Sequence, residues 1–310
     1  MFHRHFSKPL LFFSALALCA FGSLTSVAMN AEAGSSSASV EEKETLSLKP
    51  SVLLQRGKFS VTNSMLVTWI VAAGIIVFAQ VAMRNVKPVP SGAQNFWEWL
   101  VESLYNFLES IIGRELVRKT FWFFATIFIF ILFVNWFGLI PGVGTIGWGH
   151  HDLTTNRFHI DRPLFRGGNA DLNMTSAMAI IFFALWIIWA LQANGVGGLL
   201  MHLFGPKGET SGILKAFMIV IFFLVGWLEI ISILFRPISL SFRLFGNIYA
   251  GESILEAMST MNPYLAPFLP IPFYFMEILV GIVQALVFML LTAVFTLLIA
   301  QHDHGPEHAH

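Results

Sequence analysis

Of the chain's 310 residues, 56% are hydrophobic and 12% charged, where an average soluble protein carries about 25% charge. So few charges cannot cover a water-soluble surface of this size, and so much apolar content excludes a disordered chain. Eighteen basic and 18 acidic side chains balance to a net charge of zero, which leaves no basic footprint for nucleic acid. The single cysteine, Cys19, excludes a disulfide framework and a cysteine-based zinc site. These bounds point to a bilayer.

The first 33 residues have the three parts of a secretory signal peptide. Arg4 and Lys8 sit with His3 and His5 at a positive start, an apolar run covers 10–24, and Ala31-Glu32-Ala33 precedes Gly34. The alternative, an uncleaved first membrane helix, has a run short of the ~20 residues a span needs. Read as a signal, the segment starts the mature chain outside the cytoplasm. Residues 34–62 are Ser-rich and then mixed in charge, and read as a polar N-terminal tail.

A first uncharged span covers 64–83 and is closed by Arg84 and Lys87. Segment 93–118 differs. Phe96, Trp97, Leu100, Leu104, Phe107, Leu108, Ile111 and Ile112 recur at helical spacing, with Glu98, Glu102, Glu109 and Arg114 around much of the remainder. That pattern is an amphipathic helix, lying on a membrane surface or packed as in a soluble protein. A second span follows at 121–140. Residues 141–172 form a polar loop with three Arg, three Asp and three His, and a third span covers 174–193. Five Lys and Arg between the first two spans (Arg84, Lys87, Arg114, Arg118, Lys119), against Arg157, Arg162 and Arg166 in the 141–172 loop, favour the first segment as cytoplasmic.

Residues 213–300 hold two long apolar stretches, 213–235 and 272–300, with a third segment, 238–261, between them. Seven charged residues occur there: Lys215, Glu229, Arg236, Arg243, Glu252, Glu256 and Glu277. Lys215 is an ordinary flanking lysine. An ionisable group at membrane depth costs about 2.5–3.5 kcal/mol on insertion scales, so each of the other six needs a pathway or a partner. At 100° per residue, Ser239, Arg243 and Asn247 share one helical face. Glu252, nine residues past Arg243, falls on the opposite side with Glu256. Glu277 and Gln284, seven apart, align on one face of the last helix. The structural alternative pairs Arg243 permanently with Glu229 or Glu277 as a clamp between helices.

The run Ser239-Leu240-Ser241-Phe242-Arg243-Leu244-Phe245-Gly246-Asn247-Ile248-Tyr249-Ala250-Gly251-Glu252 closely resembles the signature of subunit a of the F-type ATP synthases. Glu229, Arg236-Pro237-Ile238-Ser239 and Gln284-Ala285-Leu286-Val287-Phe288 resemble its flanks, and Asn135, Pro141 and Asp171-Leu172-Asn173 resemble weaker family features. The likeness covers about 60–300.

It implies an all-α, polytopic membrane protein of about five membrane-embedded helices. These include a long tilted helical hairpin facing a c-ring, with one amphipathic surface helix beside them. The expected division is a signal peptide at 1–33, a polar tail at 34–62, the membrane domain at 63–300 and a His-rich polar tail at 301–310. By the resemblance, Arg243 faces the ion-binding carboxylate of each passing c-subunit, with Asn247 and Gln284 as polar neighbours. Glu252 lies on the aqueous access path. Glu277 stands where some bacterial members have a histidine. Ser239 and Glu229 complete the proton-translocation set.

Partners implied are the c-ring, the subunit b peripheral stalk and the lipid of a bacterial plasma membrane. The transported ion, proton or sodium, is chosen mainly by the c-subunit. The alternative reading is a self-contained ion channel or secondary transporter, which would need its own gate and a complete pathway. No His-Glu-x-x-His, Gly-x-Ser-x-Gly or paired-Asp pattern occurs in the spans, so no catalytic residues and no cofactor are expected. His150, His151 and His159 read as loop surface and His302, His304, His308 and His310 as a solvated tail, rather than as metal ligands.

Overall fold

A computed structural model of the chain describes residues 50–56, 59–143, 146–152, 157–204, 213–261, 264–265 and 268–300. The expected leader with Cys19, most of the N-terminal tail and the histidines at 302–310 lie outside the described residues.

The chain opens with strands β1 (Val52–Arg56) and β2 (Phe59–Thr62), paired antiparallel with Val52 opposite Thr62 and Arg56 opposite Phe59. β2 runs directly into helix α1 (Asn63–Ala82), whose first turn is capped by the Thr62 hydroxyl accepting from the Met65 N–H at 3.4 Å. Helix α2 (Ala93–Ile112) is amphipathic. It buries Gln94, Trp97, Leu104, Leu108 and Ile112 and leaves Phe96, Trp99 and Phe107 exposed. Gly113, at φ +78°, ends α2 and begins α3 (Arg114–Gly138). That left-handed corner suits glycine, which has no Cβ to clash.

Helix α3 is the centre of the bundle. Phe123, Phe124, Ile127, Phe130, Ile131 and Val134 are almost fully enclosed, and α1, α2 and α6 pack around them. Phe123 stacks near Phe182 and meets Trp189 edge-on, which ties α3 to α4. Inside a bilayer such ring packing matters more than apolar transfer, because lipid is as apolar as the helices.

Between α3 and α4 (Leu172–Phe204) lie a second hairpin, β3 (Gly147–Asp152) with β4 (Arg157–Pro163), and a short turn at Gly168–Ala170. The Asn63 side chain donates to the Pro163 carbonyl at 3.1 Å and joins this hairpin to the start of α1. Asp171 precedes α4 and accepts from the Asn173 N–H at 2.9 Å and from the Ser64 hydroxyl at 2.5 Å. Helix α4 is interrupted at Gly195 (φ +65°, ψ 172°) and continues to Phe204.

Helix α5 (Ile213–Thr260) is continuous through Pro237 for 48 residues, and α6 (Pro270–Ala300) for 31. At 1.5 Å per residue they are about 72 and 46 Å long, against a hydrocarbon core of about 30 Å, so neither fits upright. α5 is more than twice as long as that core is thick. Its Pro237 is buried, where neighbouring helices tolerate the missing N–H. Five described helices (α1, α3, α4, α5 and α6) are long and apolar enough to cross a membrane. The fold is all-α and polytopic, with α2 as the sixth, amphipathic helix.

Three differences from the sequence reading stand out. Hairpins occur at 52–62 and 147–163 where tail and loop were expected; strands this short pair only because a partner lies a turn away. The helix that covers the span expected to end at 193 is interrupted at Gly195, and a further helical segment not expected from the sequence continues to Phe204. The segments 213–235 and 238–261 form one helix, with no break at Pro237.

Candidate functional site

Helix α5 divides lengthwise. Leu240, Ser241, Leu244, Ile248 and Gly251 are buried against the bundle, while Ser239, Phe242, Arg243, Gly246 and Ala250 face outward. Arg243 thus sits on the uncovered side of an otherwise apolar surface. Among the described residues no carboxylate forms an ion pair with it, and neither Glu229 nor Glu277 clamps it. Asn247, one turn on, is half-buried.

Glu252 occupies the other side. Its carboxyl rests against the backbone of Gly167, where a Cβ would collide with Oε1, and a Cβ on Gly138 would lie 3.7 Å from the same oxygen. Two glycines, one ending α3 and one in the turn before α4, open the space this carboxyl fills. Arg166, Glu277 and Glu256 make up its charged surroundings.

Glu277 on α6 is 4% exposed, and its carboxyl presses on the Gly251 backbone. Its Oε1 accepts no hydrogen bond from the described residues. One turn later the Gly281 carbonyl accepts from the Asn135 side chain at 3.3 Å, and Asn169 donates to Asn135 Oδ1 at 2.6 Å. Trp136 Nε1 donates to the Ile278 carbonyl at 3.4 Å. Gln284, on the same face of α6 as Glu277, is half-buried. The result is a polar seam between α3, α6 and the turn, on the side of α5 away from Arg243.

A second charged group lies further towards the start of α5. The Arg236 guanidinium lies 4.5 Å from the centre of the Phe295 ring and 5.8 Å from that of Trp186, with Glu229 in electrostatic range. Such ring contacts contribute about 0.5–2 kcal/mol each. They tie α5 to both α4 and α6.

Of the seven expected site residues, Glu252 and Glu277 come together on the inner side. Arg243 and Ser239 share the outer face, Asn247 flanks it, Gln284 lies further along α6, and Glu229 stands apart with Arg236. Sequence reading missed Arg166 and Asn169 as members of the inner cluster. The local signal was an arginine directly before Gly167-Gly168, a pair of residues that lets another group approach closely.

The family model for the ATP synthase A chain matches residues 65–296. Proteins named ATP synthase subunit a are similar to this chain in Gloeobacter violaceus (32% identity; 82% of this chain and 90% of the relative), Trichlorobacter lovleyi (34%; 75% and 85%) and Moorella thermoacetica (30%; 83% and 98%). With five apolar helices and this match over most of its length, the chain is a multi-pass membrane protein that belongs to the ATP synthase A chain family.

Proposed function

We propose that this protein is the proton-translocating stator of an F-type ATP synthase, coupling ion flow to rotation of a c-ring through two offset half-channels. In this role it performs no covalent chemistry on ATP. It sits in a bacterial plasma membrane with the c-ring and the subunit b peripheral stalk as partners.

The observation that carries the reading is the outward setting of Arg243 on α5, free of any carboxylate among the described residues. Its guanidinium stays protonated, so it cannot itself relay protons. A protonated rotor carboxyl arriving beside this fixed charge is driven towards its ionised form and releases its proton to one half-channel. The carboxylate then passes Arg243 and is reprotonated from the other side. The same charge bars a direct proton route between the half-channels. Partial hydration keeps the attraction breakable, so the rotor does not stall.

Glu252 and Glu277 serve the non-cytoplasmic half-channel. Two features support this: Glu252 seats on Gly167, beside the 141–171 loop that the Lys/Arg balance puts outside, and both carboxyls sit near the α5–α6 turn. Asn247, Gln284 and Ser239 line the approach to the arginine, and Glu229 serves the opposite half-channel. In inverted vesicles carrying the assembled complex, Arg243→Ala is expected to abolish ATP-driven acidification. Wild-type acidification would overturn the reading.

A further inference from the structure

Directly behind Arg243 lies a chain of three hydroxyls. Ser241, 3% exposed, is two residues before the arginine and so about 160° around the helix. Its Oγ is 3.1 Å from Thr175 Oγ1 and 2.9 Å from Ser176 Oγ, both on α4. Thr175 also donates to the Leu172 carbonyl at 3.2 Å. The three hydroxyls form one hydrogen-bonded chain that joins α5 to the first turn of α4.

From this geometry we infer that Ser241 is a positioning residue, whose hydrogen bonds to Thr175 and Ser176 set the angle of α5 about its own axis and thereby aim Arg243 at the rotor. The inference rests on the reading of Arg243 given above. These hydrogen bonds add a directional restraint to the packing of Leu240, Leu244 and Ile248 and to the contacts of Arg236 and Gly251. Most of the α5 surface, including Phe235, Ile238 and Phe242, is uncovered. Lipid substitutes for apolar neighbours at little cost, so a helix in a bilayer turns easily unless polar bonds or close packing stop it. Turning α5 by one residue's worth of angle would carry the guanidinium away from the outer face. Hydrogen bonds at the back of the helix, at the same height as the arginine, are placed to resist that.

The test uses the whole complex in inverted vesicles and measures protons pumped per ATP hydrolysed. Ser241→Ala removes both hydrogen bonds and should lower this ratio about fivefold, more than the loss of either bond alone, with ATP hydrolysis retained. Ser241→Thr keeps the hydroxyl and should retain more than half of the ratio. Ser176→Ala leaves the buried Ser241–Thr175 bond in place and should lower the ratio about twofold, so it serves as the test should Ser241→Ala reduce assembly. A merely structural role would change the amount of complex and leave the ratio alone. An unchanged ratio in Ser241→Ala, or in Ser176→Ala where the former does not assemble, overturns the inference. Arg243→Ala on parallel membranes separates the two ideas: if it still pumps, the reading of the arginine fails. If it is dead while Ser241→Ala couples fully, only the positioning role fails.

Discussion

The carboxyl of Glu277 on α6 lies directly on the backbone of Gly251 on α5, in space that any side chain at 251 would occupy. Gly251 is therefore a seat for an acid as well as a point of close helix approach. Gly251→Ala should displace Glu277 at an overpacking cost of about 1–3 kcal/mol and slow proton flux severalfold. Gly74→Ala on α1, whose added methyl meets nothing within 4 Å, should be neutral. Fluorescence quenching in inverted vesicles, normalised to the amount of subunit in the membrane, distinguishes the two. Equal flux in both would show that the Glu277 seat is immaterial.

Glu252 fits between Gly138 and Gly167, and Gln is nearly the same size and shape. Glu252→Gln should therefore leave assembly intact while slowing ATP-driven proton flux roughly a hundredfold, the low end of the usual contribution of a proton-transferring group. Subunit content by immunoblot and pumping rate on the same membranes check both halves. Unchanged flux would remove Glu252 from the pathway.

Arg236 holds α5 to the Phe295 and Trp186 rings. Arg236→Ala should lower the thermal stability of the membrane sector by about 1–3 kcal/mol, through lost cation–π contact and lost packing of the side-chain stem. Arg236→Lys, which keeps a cation over the rings, should recover part of it. The temperature at which the purified complex loses this subunit is the readout, and equal values for wild type and Arg236→Ala would contradict the tie.

The membrane helices were legible because an uncharged apolar run has few alternatives: the span expected at 64–83 is a helix at Asn63–Ala82. Helical spacing also set Glu252 opposite Arg243, since that angle depends only on residues nine apart in one helix. What stayed hidden was set by partners distant in the chain. β1 and β3 are too short to show a pattern of their own. Pro237 reads as a break, and only neighbouring helices allow α5 to run through it. That Glu252 would meet Gly167, 85 residues earlier, or that Ser241 would reach Thr175, follows from packing that no local spacing encodes.

The account's central claim is that a permanent positive charge on the outer face of α5 does the work at residue 243. ATP synthesis by the complex reconstituted in liposomes, driven by an imposed proton gradient, tests it in the Arg243→Lys variant. An ammonium can shed its proton when desolvated and lacks the guanidinium fork, so synthesis should fall at least tenfold. Synthesis at the wild-type rate would contradict the claim.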